Sequence, residues 1–144
     1  MMFLLDTNVV SELRKAGTAR IDPHVLTWAS AQRSSDLYLS AISILEIEIG
    51  ILQLERKDVH QASVLRTWMN DHVLPAFEGR ILPVDVQVAL ACAAMHIPDR
   101  RSERDALIAA TAAVHKLTVI TRNLHDFRTT GVKLLNPWEP QAPA

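Results

Sequence analysis

Met2-Phe3-Leu4-Leu5-Asp6-Thr7-Asn8 is an apolar run that stops at a carboxylate. Four apolar residues in a row, followed at once by a polar turn, predict a short strand buried on both faces. Helical sequence follows to about Lys15, and Gly17 and Thr18 break it. Moving outward, the same alternation repeats. Leu37-Tyr38-Leu39 is a second strand, Ile81-Leu82-Pro83-Val84 a third, Leu117-Thr118-Val119-Ile120-Thr121 a β-branched fourth, and Val132–Leu135 a last short one. Pro83 cannot donate to a ladder, which sends the third strand to an edge or makes it irregular. Helices are expected between them. Asp22-Pro23 starts one that runs to about Gln32, and Ser40 caps 41–55. A segment over 58–74 ends before Pro75, Asp85 caps one reaching about Met95, and Ser102-x-x-Asp105 has the form of a capping box opening 103–115. Strands alternating with helices imply an α/β fold, a three-layer α/β/α arrangement with a central, mostly parallel sheet of 4–5 strands.

Composition narrows the classes. The chain has 144 residues, 49% hydrophobic and 22% charged, which suits one domain with a real core. The domain is expected over 1–138, with a flexible tail over 139–144 that contains Pro140 and Pro143. A net charge of −1 gives no overall attraction to nucleic acid, although a local basic patch is compatible with it. The single cysteine, Cys92, lies in an apolar run and reads as a small buried hydrophobe. One cysteine permits no internal disulfide, consistent with a reducing cytoplasm. Asp6 interrupts the N-terminal apolar stretch too early for a signal peptide. No run approaches the ~20 residues that span a bilayer, so no membrane association is expected.

Four carboxylates stand where a carboxylate is costly: Asp6, Glu46, Asp105 and Asp126. In parallel α/β sheets ligands bind beyond the carboxyl ends of the strands, which is where Asp6 sits and where Asp126 follows. Asp6 also reads as the N-cap of the next helix, a role compatible with catalysis. Glu46 interrupts a helix that is apolar almost all round, so the helix is expected to be largely buried. On that helix Glu46 aligns with Ser43 and Gly50, whereas Glu48 aligns with Glu55 on what reads as a solvated stripe. Asp105 heads the face continued by Ile108, Ala109 and Ala112, and the helix N-terminus is expected to hold it ionised. Asp126, taken alone, reads better as a cap of a turn or short helix, and gains weight only from the polar strand-end loop that carries it. Carboxylates gathered together repel and raise one another's pKa unless a cation sits among them. An all-oxygen set with no cysteine or paired-histidine ligands suits Mg²⁺ or Mn²⁺.

These residues, in this order, resemble the PIN-domain ribonucleases, nearest to the VapC and FitB-like toxins of type II toxin–antitoxin modules. The likeness rests on Leu5-Asp6-Thr7-Asn8, Leu39-Ser40-Ala41 leading to Glu46 and Gly50, and Asp105-Ala106-Leu107-Ile108-Ala109-Ala110-Thr111-Ala112. It closes with Thr121-Arg122-Asn123, Asp126-Phe127 and Asn136-Pro137-Trp138, so it covers about residues 2–138. The family's four acidic positions fall on Asp6, Glu46, Asp105 and Asp126. The resemblance implies an endoribonuclease dependent on Mg²⁺ or Mn²⁺, in which these four hold one or two cations and a metal-activated water hydrolyses RNA. Either Glu46 or Asp126 would orient that water. Thr7, Asn8, Thr121 and Asn123 would support the ligands by hydrogen bonds. Arg122 and Arg104, with Arg100 and Arg101 beside the latter, would hold phosphates, although the last three read equally well as a solvated loop.

The resemblance also implies partners: a second copy in a homodimer, and a cognate antitoxin that covers the acidic site, often with an arginine. Operator DNA would be reached only through the antitoxin. Trp28, Trp68 and Trp138 are candidates for such surfaces, although tryptophans more often end in the core. A rival reading is a PIN-fold protein that binds its partner and DNA complex with little or no nuclease activity. No residue selects the RNA target.

Overall fold

The computed structural model describes residues 1–141. Five strands, β1 (Phe3–Leu5), β2 (Leu37–Ser40), β3 (Ile81–Leu82), β4 (Thr118–Ile120) and β5 (Leu134–Leu135), form one sheet in the order β3-β2-β1-β4-β5. Every pairing is parallel, with Leu4 opposite both Tyr38 and Val119. The helices are α1 (Thr7–Leu13), α2 (Pro23–Ser30), α3 (Ala41–Glu55), α4 (Val59–Trp68), α5 (Leu74–Ala76), α6 (Val86–Met95), α7 (Glu103–His115) and α8 (Leu124–Phe127). Each strand expected from the sequence is present, and β3, followed directly by Pro83, lies at the edge.

Side-chain alternation along β1 divides the core. Phe3 and Leu5 point to one face, where Val9, Val10, Trp28, Ile47, Ile51, Met69 and Val73 cover them. Leu4 points to the other, against Ile108, Ala109, Ala112, Val119 and Phe127. The alanines of α7 let that helix approach the sheet closely, and α7 in turn carries α6 through Ala106, Ala110, Val88 and Cys92. Cys92 is buried as expected, and desolvation pushes its thiol pKa upward.

Helix starts follow the expected chemistry. Asp6 accepts from the Thr7 N–H, Asp22 from His24 and Val25, Ser40 from Ile42, and Asp85 from Val88. The capping box at Ser102 does not form: Ser102 is the N-cap residue of α7, but its side chain makes no capping bond. The segment over 58–74 also departs from expectation. After α4 the chain widens into a π-helical turn over Met69–Val73 and resumes as α5, with Pro75 inside it. The Leu74 N–H reaches back to Met69 O, which satisfies the backbone just before the residue that lacks a donor.

Helix α3 is less buried than its composition suggests. Ile47 and Ile51 face the core, but Leu45 and Leu52 are 46% and 48% exposed. Glu48 is not simply solvated. Arg66 of α4 donates to both of its oxygens and lies 3.8 Å from Glu55, so the expected Glu48–Glu55 stripe shares one guanidinium. Helix α6 leaves Val86 (74%) and Leu90 (68%) bare, with Ile97 just beyond it. At the C-terminus the Gln141 amide donates to the Asn136 and Glu139 carbonyls, while 142–144 of the expected tail lie outside the described residues. Among the described residues no helix is long and apolar enough to cross a membrane.

Candidate functional site

Asp6 anchors the site because its position leaves it no solvent. It is 6% exposed at the carboxyl end of the central strand, and its N–H continues the ladder to Ile120 O at 2.9 Å. Its Oδ1 accepts from the Thr7 N–H at 2.8 Å, and its Oδ2 accepts from Thr121 Oγ1 at 2.8 Å. Asn8 Nδ2 lies at longer range, 3.5 Å from Oδ2 and 3.4 Å from Thr121 Oγ1. Burial raises the Asp6 pKa; the Thr121 and Thr7 bonds oppose the rise, and the charges of Glu46 and Asp126 add to it.

Thr7 links Asp6 to Glu46. Its hydroxyl donates to Glu46 Oε1 at 2.7 Å and lies 3.0 Å from the fully buried Ser43 Oγ. The alignment of Ser43 with Glu46 on α3 is thus used for a hydrogen bond, whereas an added Cβ at Gly50 would meet only open space. Arg104 Nη1 approaches Glu46 Oε2 at 3.6 Å from the first turn of α7. Asp105, beside it in sequence, is half-buried.

Asp105 is harder to ionise than the helix N-terminus alone would make it. Its pKa is raised to about 6, first by desolvation and then by the charges of Asp6, Asp126 and Glu46, with Arg104 opposing. Lost hydration and three like charges outweigh the helix N-terminus at this position. Asp126 is exposed on the four-residue helix α8. It reaches the others through its field, which acts on both Asp6 and Asp105. The charges of Glu46 and Asp126 therefore reach both Asp6 and Asp105, and that of Asp6 reaches Asp105. Yet among the described residues no three acidic, histidine or cysteine side chains are arranged to hold one metal ion. The donor chemistry fits a hard divalent cation, since every oxygen is a carboxylate and the local field is negative. Full ligation requires side-chain rotation, most freely by exposed Asp126.

The supporting residues divide. Thr7 and Thr121 act through their hydroxyls, and Asn8 Oδ1 also accepts from the Arg122 N–H at 3.4 Å. Asn123 enters through its main chain: its N–H donates to Thr121 Oγ1 at 3.0 Å, and its carbonyl accepts from the Asp126 N–H. Among the arginines, Arg101 serves the fold by donating to Met95 O at 2.7 Å, and Arg100 pairs with exposed Glu103. Arg122 lies over Trp138, its guanidinium carbon 5.2 Å from the ring centre. Trp28 is buried edge-on against Phe3, and Trp68 is half-buried beneath Arg14.

Glu12, with Asp6 one of two buried carboxylates among the described residues, was not singled out by the sequence. It accepts from the Asp22 N–H at 2.8 Å and from Lys15 at 3.1 Å, which lowers its pKa and fastens α1 to the start of α2. Its only sequence signal is Lys15 at i+3.

The fold and the acidic edge define a class, and the comparisons agree: the chain belongs to the PIN-domain family, whose model matches residues 3–133. More particularly, it is 37% identical to VapC ribonuclease Y4jK of Sinorhizobium fredii, covering 96% of this chain and 99% of that one. It is 39% identical to toxin FitB of Neisseria gonorrhoeae, covering 95% and 99%. A solved structure of FitAB bound to a DNA fragment superposes with a TM-score of 0.85 at 35% identity, covering 98% of this chain and 99% of that chain.

The raised Asp105 pKa has a consequence for stability. A carboxyl group whose pKa is higher folded than unfolded binds its proton more tightly in the native state. Its contribution therefore falls as pH rises from about 4 to about 7. In EDTA, wild type is expected to lose thermal stability across this range relative to Asp105→Asn, and Mg²⁺ is expected to restore more of it at the upper end. Melting curves at several pH values check this; parallel pH profiles for the two proteins would contradict it.

Proposed function

We propose that the chain is a divalent-metal-dependent endoribonuclease that acts as the toxin of a toxin–antitoxin module, its nuclease domain spanning 1–138. The observation that carries this reading is the convergence of Asp6, Glu46, Asp105 and Asp126 at the carboxyl edge of the sheet, near enough to raise the pKa of Asp6 and Asp105. Membership of the PIN-domain family and the near full-length likeness to a VapC ribonuclease and to toxin FitB support it.

In this reading each residue has a physical task. Asp6, held at both oxygens by Thr7 and Thr121, is the fixed ligand. Glu46, aimed by the Thr7 hydroxyl, and Asp126, free to turn, close the cation site from opposite elements, and one of them orients the attacking water. Asp105, whose pKa of about 6 reflects burial and three like charges, would be held more firmly as a carboxylate once positive charge offset that repulsion. When bound, Mg²⁺ or Mn²⁺ supplies charge neutralisation at the phosphoryl oxygens and makes water a better nucleophile at neutral pH. Water adds to phosphorus in line, the bond to the 3′ oxygen breaks, and that oxygen takes up a proton. Arg104 and Arg122 hold phosphates on either side.

Partners follow from the same reading. The FitAB complex on DNA supports a cognate antitoxin that joins this chain to operator DNA. An antitoxin arginine inserted at the acidic edge would meet the same attraction that draws Arg104 to Glu46. The bare face of α6, with Val86 and Leu90, is the surface assigned to a second copy in a homodimer. A cytoplasmic location belongs to this reading.

Purified protein is expected to cleave RNA with Mg²⁺ or Mn²⁺ and to stop in EDTA. Asp6→Ala and Asp126→Asn should each slow cleavage by at least about 100-fold. Cleavage indifferent to EDTA and to both substitutions would defeat the metal mechanism. No cleavage of any RNA, with antitoxin binding intact, would favour a binding protein instead. Sedimentation is expected to show Leu90→Lys as a monomer where wild type is a dimer, and an unchanged dimer would remove α6 from the interface.

A further inference from the structure

Arg122 differs from the other cations near the acidic edge. Its backbone is fixed there, because Thr121 binds Asp6 and the Arg122 N–H meets Asn8. Its side chain is exposed, and among the described residues no carboxylate pairs with it. It rests instead on Trp138. That indole is itself anchored: the Trp138 N–H donates to Asn136 Oδ1 at 2.9 Å, Pro137 is buried, and the ring packs at the margin of the core. Thr121 and Leu135 are joined by a 3.0 Å ladder bond, so the segments carrying both side chains leave the sheet side by side.

A free cation beside four carboxylates needs no aromatic support if its task is to supply charge. A lysine would serve, and it would be drawn toward the acids. A guanidinium resting on an indole is a different object. It is planar, it is held away from the carboxylates, and its edge donors stay free. Proteins that bind single-stranded RNA stack unpaired bases on aromatic rings and on arginine planes.

We propose that Arg122 and Trp138 form a nucleotide platform on the β5 side of the acidic edge. One unpaired base, adjacent to the phosphodiester to be cleaved, stacks there while the guanidinium edge bonds the neighbouring phosphate. The platform rests on the nuclease reading for its position beside the cleaved bond. Arg104, 3.6 Å from Glu46, is a second cation at the acidic edge for the same strand to meet.

The test separates stacking from charge. Fluorescence anisotropy with the full chain, Ca²⁺ replacing Mg²⁺, compares labelled hexaadenylate with an abasic ribose-phosphate hexamer of equal charge. Wild type is expected to prefer the base-bearing probe by about tenfold, the lower range for base stacking. Arg122→Lys should keep the affinity for the abasic probe and lose the preference. Trp138→Leu, checked for folding by circular dichroism, should lose it as well. Absence of the preference in wild type, failure of wild type to bind either probe, or its survival in Arg122→Lys would overturn the platform. Cleavage of cellular RNA with Mn²⁺ is scored separately. Cleavage without base preference sinks the platform alone, whereas a preference erased by Arg122→Lys with no cleavage sinks the nuclease reading.

Discussion

A buried carboxylate at the end of the central strand sets the terms for this molecule. Asp6 has lost nearly all its water, and its compensation is two short hydrogen bonds from residues more than a hundred positions apart in the chain, Thr7 and Thr121. The Thr121 bond requires β1 and β4 to be neighbours with their ends level, as the register Leu5 opposite Ile120 provides. The Thr7 hydroxyl then brings in α3 through Glu46 and Ser43. Sheet order, the cap of α1 and the aim of Glu46 all serve one side chain. Hydrogen bonds offset its desolvation only in part, since its pKa remains raised.

The remaining excess of negative charge is distributed by exposure. Asp6 is buried and rigid, Asp105 half-buried with its pKa raised to about 6, and Asp126 exposed on a short helix. The edge thus combines a fixed donor with groups that can still move or ionise. Such a gradient suits a site that must accept and release a cation and a phosphate. Arg104 and Arg122 flank it in different ways, one drawn to a carboxylate and the other to an indole. Exposed apolar residues lie at Leu45 and Leu52 on α3, the helix that also carries Glu46, and at Val86 and Leu90 on α6.

Much of this was legible in the residues because it depends on local pattern. Apolar runs ending in polar turns located all five strands, and Asp22, Ser40 and Asp85 located helix starts. What was missed depends on neighbours distant in sequence. Pro75 reads locally as a stop, but the π-helical turn before it absorbs the break. Ser102 and Asp105 have capping-box spacing, yet Ser102 makes no cap and Asp105 feels the acidic cluster. Helix α3 reads as buried all round, but α4 covers only part of it. Glu12 gave almost no signal, because its partner is the main-chain N–H of Asp22, and any residue type but proline has one. The four carboxylates could be picked out one by one, but their mutual distances could not. In their present rotamers no three of them are arranged to hold an ion.

That last point sets the most direct test. A crystal grown with Mn²⁺ and measured at an anomalous wavelength locates the ion without reference to activity. The account predicts a peak about 2.0–2.4 Å from oxygens of Asp6 and at least one other of the four carboxylates, with Asp126 rotated inward. A protein saturated with Mn²⁺ that shows no ion at this edge, or binds it elsewhere with Asp6 unliganded, would contradict the account.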